Sequence, residues 1–231
     1  ALFDMVEGMT GENFMTMGSD SAFGMFETMG NSNVEGMSGG TMAGMFDAMG
    51  VDHIGSIGGE ALFDMVEGMT GENFMTMGSD SAFGMYETMG SGNVKGMSGD
   101  TMAGMFDAMG TDHIHEMGSE RSFAAFESMG VESFAGMGGD SMAGMFDAMG
   151  VGHIGSIGGE ALFDMVEGMT GDNFMTMGSD SAFGMYETMG DDRIGDMDGD
   201  TMAGMFDSMG TDHVGSIGGE ALFDMVEGMT G

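Results

Sequence analysis

Cysteine, proline and tryptophan are absent from the 231 residues, and bases nearly so: Lys95, Arg121 and Arg193 are the only three. Without cysteine no disulfide framework holds the fold, and any compartment stays open on that count. The three bases stand against 39 acids, so 39 − 3 leaves a formal net charge of −36. A nucleic-acid backbone is thereby excluded as a partner, because phosphate binding needs clustered Lys and Arg. Gly, Asp or Glu breaks every apolar stretch well short of the roughly 18 residues that a membrane-spanning helix requires, so no membrane insertion is expected. The start of the chain has no basic segment followed by an apolar one, as a secretory signal would. Ala1 begins in register with the repeat described next, and a trimmed window of a longer product is expected.

What is present is glycine, methionine and acid. The chain has 48 Gly and 38 Met, and its apolar fraction of 42% is enough for a buried core, so the charge does not by itself imply disorder. A cut after every twentieth position aligns the chain without a gap, giving eleven full repeats and a partial twelfth, the fixed period of a solenoid or array over residues 1–231. The ninth position is always Met, from Met9 to Met229, and the seventh is always acidic, from Glu7 to Glu227. Repeats beginning ALF, SAF and TMA follow one another as a 60-residue super-repeat, which the irregular repeat at 121–140 interrupts. One ALF repeat has been lost there without a change of phase.

Within a repeat, positions 2, 5, 6 and 9 are mostly apolar, the spacing of one helical face. Met5, Val6 and Met9 form that stripe in the first repeat, and Met45, Phe46 and Met49 in the third. The acid closing the preceding repeat, such as Asp20 or Glu60, stands where it meets the positive end of the helix dipole. Gly at position 10 or 11, in "MG" or "MTG", reads as the left-handed stop. A shorter second segment follows, anchored by position 14 and by Met or Ile at 17: Phe14 with Met17, Ile54 with Ile57. The expected fold is therefore a mainly α repeat solenoid with two short helical segments per repeat. A β-solenoid, each repeat forming one coil, is the competitor, since Gly-rich corners suit it too. Against it, inward positions of a β-coil need a period of two and β-branched residues, whereas Met, Ala, Phe and Leu dominate.

No position singles itself out for chemistry. Thioethers suit Cu(I), yet Met on the same stripe as Phe and Val reads as gap-filling core. His53, His113, His153 and His213 share position 13 of the TMA repeats and read as solvated residues after a turn, able to lend pH sensitivity. Recurrent carboxylates invite Ca²⁺, which takes six to eight oxygens. The nearest approach to a loop is "DMDGDTMAGMFD", with Asp196, Asp198, Asp200 and Asp207, but its Gly199 is misplaced for an EF-hand. A solvated acidic face is the first reading there and a weak metal site the second. No catalytic residue is expected, since the chain lacks a nucleophile elbow, a phosphate loop and a Cys nucleophile. No cofactor is expected either, weakly bound Ca²⁺ excepted.

The first and last repeats both begin "ALFDMVEGMT" and neither is polar in the manner of a cap. Copies are then expected to meet end to end or laterally, and an open contact of that kind propagates as a filament. Roughly three net negative charges per repeat keep rods soluble and apart. The functional expectation is a self-assembling structural protein of an extracellular filament, sheath or surface layer. The alternative is an acidic binding solenoid for divalent cations or a basic partner.

Overall fold

The computed structural model describes residue 6 and residues 8–228 of the chain. Among these residues every regular element is helical and no strand occurs. The β-solenoid alternative is thereby overturned, for the reason the spacing offers: the buried apolar positions 2, 5, 6 and 9 recur at three and four residues, the period of a helical face. The chain divides into two compact units, Ala1–His113 and Ile114–Gly231.

The first part of the chain runs through helices Gly11–Met15, Ser19–Met29, Asn31–Val34, Gly39–Ile54, Gly59–Val66, Gly71–Phe74, Ser79–Val94 and Gly99–Met117. The rest runs through Ser119–Met129, Val131–Ala135, Gly139–Met149, Val151–Ile157, Gly159–Val166, Gly171–Met175, Ser179–Met189, Asp191–Ile194, Gly199–Val214 and Gly219–Gly228. Each longer helix starts one or two residues before the repeat boundary, which puts Asp20, Glu60, Asp80 or Asp180 in its first turn. Carboxylates there face the unsatisfied N–H groups and stabilise the helix by a few tenths of a kcal/mol to about 1 kcal/mol each.

Glycine at position 10 ends one helix and leads straight into the next: Gly30, Gly130, Gly150 and Gly190 are at once the C-cap of the helix before and the N-cap of the helix after. Gly50, Gly90, Gly110 and Gly210 have φ of 72 to 74° and ψ of 157 to 170°, and the helix resumes at the next residue. This is not the left-handed helical region of a C-cap but an extended region of positive φ that only glycine enters cheaply. One residue therefore joins two helical segments through a sharp kink. Gly110→Ala is expected to destabilise the unit Ala1–His113 by about 1–3 kcal/mol, read as a lower denaturation midpoint. In the ALF repeats the extra Thr changes the junction again. Thr70 becomes an N-cap that pairs reciprocally with Asn73, its N–H donating to Asn73 Oδ1 at 3.0 Å, and Gly71 is the first helical residue, not a stop.

The apolar stripe is buried as its spacing predicts. Val6, Met45, Phe46 and Met49 are no more than 2% exposed, and position 14 is buried from Phe14 through Ile54 to Ile194. Each such side chain contributes about 1.5–3 kcal/mol relative to staying in water. Three members of the expected core differ: Met9, Met17 and Ile57 are half-buried. Met17 and Ile57 sit in the turn after the second segment, one residue before Gly18 and Gly58, where the chain leaves the core to start the next helix. Met5 lies outside the described residues.

Packing joins alternate repeats as well as adjacent ones. Helix Gly11–Met15 packs on Gly39–Ile54, which packs on Ser79–Val94, and Gly171–Met175 packs on Gly199–Val214 in the other unit. The same bonds recur with each pairing: the hydroxyls of Thr41, Thr101 and Thr201 donate to the carbonyls of Met9, Met69 and Met169, each 32 residues back, at 3.3 to 3.4 Å. Bare glycines face one another at these crossings, Gly11 with Gly44, Gly71 with Gly104 and Gly171 with Gly204. Lacking side chains, the two backbones approach more closely than any other residue pair permits.

Candidate functional site

The feature that recurs with polar chemistry is built on the TMA histidines. In all four, the imidazole lies parallel to the phenylalanine at position 3 of the SAF-type repeat before it: Phe23 on His53, Phe83 on His113, Phe123 on His153 and Phe183 on His213. Ring centroids are 4.3 to 4.5 Å apart and the planes meet at 10 to 17°. Nε2 of His53, His113 and His213 then shares a hydrogen bond of 2.9 to 3.1 Å with Asp20, Asp80 and Asp180. His153 faces Glu120 at 3.7 Å instead.

The histidines are thus not solvated after a turn, as their position alone suggests. Their side chains are only 19 to 27% exposed, covered by an aromatic ring and tethered by a carboxylate. The fifth histidine, His115, lies 3.4 Å from Asp147. A signal was present in the sequence. Wherever His stands at position 13 of a TMA repeat, Phe stands at position 3 of the repeat before it, and an acid closes the repeat before that. Nothing local relates those three positions, since their contact depends on the chain returning after one and a half repeats.

Two clefts open beside these stacks, one in each compact unit and from equivalent positions. The first, of about 440 Å³, is lined by Val51, Asp52, Asp80, Phe83, Glu87 and His113 among others. The second, of about 430 Å³, has Val151, Gly152, Asp180, Phe183, Glu187 and His213 in the same places. A larger cleft of about 670 Å³ is lined by Thr, Ser and Gly together with Met15 and the carboxylate of Glu12.

The acidic stretch at 196–207 is not gathered into a metal site. Asp198 is the N-cap of Gly199–Val214, and its carboxylate accepts from the N–H groups of Asp200 and Thr201 at 3.1 and 3.0 Å. Asp196 and Asp200 are exposed, and Asp207 projects from the helix more than a turn further on. Among the described residues no three His, Cys, Asp or Glu side chains come together as metal ligands would. Hydrogen bonding from Thr201, joined by the backbone N–H of Asp200, holds the Asp198 carboxyl below its ordinary value. A depressed pKa adds stability that is present above the unfolded value and lost as pH falls through the folded one. Asp198→Ala is expected to cost roughly 1 kcal/mol at neutral pH and progressively less as pH falls below the ordinary carboxylate range, with faster amide exchange at Thr201 as the readout.

Tyr186 shows the opposite shift. Burial, with the Asp191 carboxylate that its hydroxyl donates to at 2.5 Å, pushes its ionisation well above the ordinary tyrosine range. This bond ties helix Ser179–Met189 to the residue just beyond the Gly190 kink.

Among the described residues no helix is long and apolar enough to cross a membrane. No known protein family matches this chain, and no curated protein matches it.

Proposed function

We propose that the chain is a structural repeat protein, a helical solenoid that self-assembles by stacking into an extracellular filament, fibre, sheath or surface layer. The observation that carries this reading is the recurrence of one packing interface. The Thr-to-carbonyl bond and the facing glycines are rebuilt from the same repeat positions in both compact units. Two different surfaces that meet each other repeatedly along one chain, positions 9–11 of an ALF repeat and positions 1–4 of a TMA repeat, are equally suited to meet on separate chains, and such a head-to-tail contact propagates where its rotation does not close.

The rest of the molecule agrees with a passive, cohesive role. The polar feature with most chemistry, the His–Phe stack, recurs four times, whereas a catalytic centre is ordinarily a single departure from regularity. On this reading the chain is not an enzyme and holds no resident cofactor. Its net charge of −36 opposes lateral clumping, a repulsion that salt relieves. Negative-stain microscopy across salt and Ca²⁺ concentrations tests the proposal. Filaments or sheets whose length grows with ionic strength are expected, and monodisperse short particles under every condition would overturn it.

A further inference from the structure

We infer that copies of this chain join through one specific contact: the edge of the TMA repeat that has Asp207, Thr211 and Val214 seats, in a second copy, on the face of helix Ser19–Met29 that has Ser21, Gly24 and Thr28. The inference rests on the assembly reading and names the two surfaces that meet.

The chain contains this contact twice in finished form. Helix Gly39–Ile54 packs on Ser79–Val94, and Val151–Ile157 packs on Ser179–Met189, each time a TMA repeat on the SAF repeat two places further along. The valine at position 11 is the knob: Cγ1 of Val51 and of Val151 lies 2.9 and 3.0 Å from where a Cβ on Gly84 and on Gly184 would stand. The carboxylate at position 7 fastens it. Asp47 and Asp147 accept from the backbone N–H groups of Gly78 and Gly178 at 3.0 and 3.1 Å, and Asp147 also accepts from the Ser181 hydroxyl at 2.7 Å. Beneath this cover Ser81, Met85, Ser181 and Met185 are buried.

Each half of the same contact also stands open once. On Ser19–Met29, Ser21, Gly24 and Thr28 are exposed and Met25 is half-buried, and a Cβ on Gly18 or Gly24 meets nothing within 4 Å. On Gly199–Val214, Ala203 and Asp207 are exposed and Phe206 and Val214 half-buried, whereas Ala43, Phe46 and Ile54 at the same positions of another TMA repeat have no exposed surface. One face thus lacks a knob and a carboxylate. The other has both, in Asp207 and in Thr211, which matches Val51 in shape with a hydroxyl in place of one methyl. Because the two faces differ, the contact runs head to tail and can repeat from copy to copy. In the internal pairs an ALF helix packs alongside, Gly59–Val66 on Ser79–Val94 and Gly159–Val166 on Ser179–Met189. Residues 1–10 and 221–230 both read "ALFDMVEGMT", so a joint in this register holds one such stretch in that place, from either copy.

The chain has no cysteine, so single introduced thiols report the contact. Full-length Thr211→Cys and Gly24→Cys chains, mixed at the salt concentration that favours assembly and mildly oxidised, are expected to form the disulfide between the two new thiols, as the closeness of Val51 to Gly84 implies. Val51→Cys with Gly84→Cys in one chain is the positive control. Thr211→Cys mixed with Gly92→Cys is the negative one, since Gly92 is an exposed helical glycine outside the contact. Gly24→Leu fills the seat and is expected to abolish assembly without lowering the denaturation midpoint, because its side chain meets open space in the single chain. Thr211→Val makes the knob the same as the internal ones and should strengthen association roughly two- to fourfold. Filaments that form equally with Gly24→Leu would overturn this contact and leave the assembly reading standing, as would a thiol at position 211 that pairs with position 92 as readily as with position 24. Gly24→Cys chains that pair with one another in equal yield would overturn it in favour of a symmetric dimer. Monodisperse particles without a cross-link under every condition would overturn both readings.

Discussion

Gly104→Ala is expected to lower the stability of the unit Ala1–His113 by about 3 kcal/mol, the upper end of what overpacking usually costs. The added methyl would press directly on Gly71 Cα and stand 2.5 Å from its carbonyl carbon and 2.6 Å from its oxygen. All three are backbone atoms, so no side-chain rotation relieves the clash, and the crossing of Gly71–Phe74 over Gly99–Met117 must open. Opening it also strains the bond from Thr101 to the Met69 carbonyl, two residues before Gly71. Gly92→Ala is the matched control, because its Cβ meets nothing within 4 Å and its backbone is not left-handed. There the change is expected to be neutral or stabilising by up to about 1 kcal/mol, since alanine is the better helix former. Denaturant unfolding followed by far-ultraviolet circular dichroism separates the two. A Gly104→Ala chain that unfolds with the wild type would show that the two helices do not cross at these glycines.

Phe134→Ala is expected to cost about 3–5 kcal/mol, the usual loss when a fully buried aromatic ring is truncated. Phe134 has no exposed surface and stands between two other rings. Phe126 meets it edge-on at 5.1 Å and 87°, and Phe146 at 5.0 Å and 65°. Loss of the ring leaves a cavity lined by both, as well as removing two edge-to-face contacts worth roughly 0.5–1.5 kcal/mol each. Phe223, 66% exposed, provides the contrast, and its truncation is expected to change stability by less than about 0.5 kcal/mol. Equal midpoints for the two variants would contradict the burial of position 14. The effect also bears on the irregular repeat at 121–140, whose Phe134 has kept the core position although the repeat order around it is broken.

Burial was legible in the sequence where a local period carried it. Met45, Phe46 and Met49 follow the helical spacing and are inside, and Ile54 at position 14 is inside as well. Ile57, three residues further, follows the same spacing but falls in the turn, where the chain is leaving the core, and stays half-buried. The glycines were the harder reading. Gly50 and Gly71 both stand near the end of a methionine stripe, yet one is a kink with φ of 73° and the other begins a helix behind a threonine cap. Composition does not separate those uses, because glycine is compatible with either backbone and the neighbour decides: Thr70 can cap a helix, whereas Met49 cannot. Asp198 likewise reads as one of four carboxylates in a row, while its own geometry makes it a cap.

The sequence by itself determined the helical class, the period of the repeat, the side of each helix that is buried and the acidic surface around it. These follow from spacing over a few residues and from charge count, both of which act locally. Only the tertiary structure decided which repeats meet. The kinks at position 10 set the direction in which each segment leaves, and the sum of those turns brings separate repeats into contact. His113 therefore reaches Phe83 and Asp80, and Gly104 reaches Gly71. A period along the chain specifies what is repeated, but the partner of each surface depends on backbone angles accumulated over one and a half repeats.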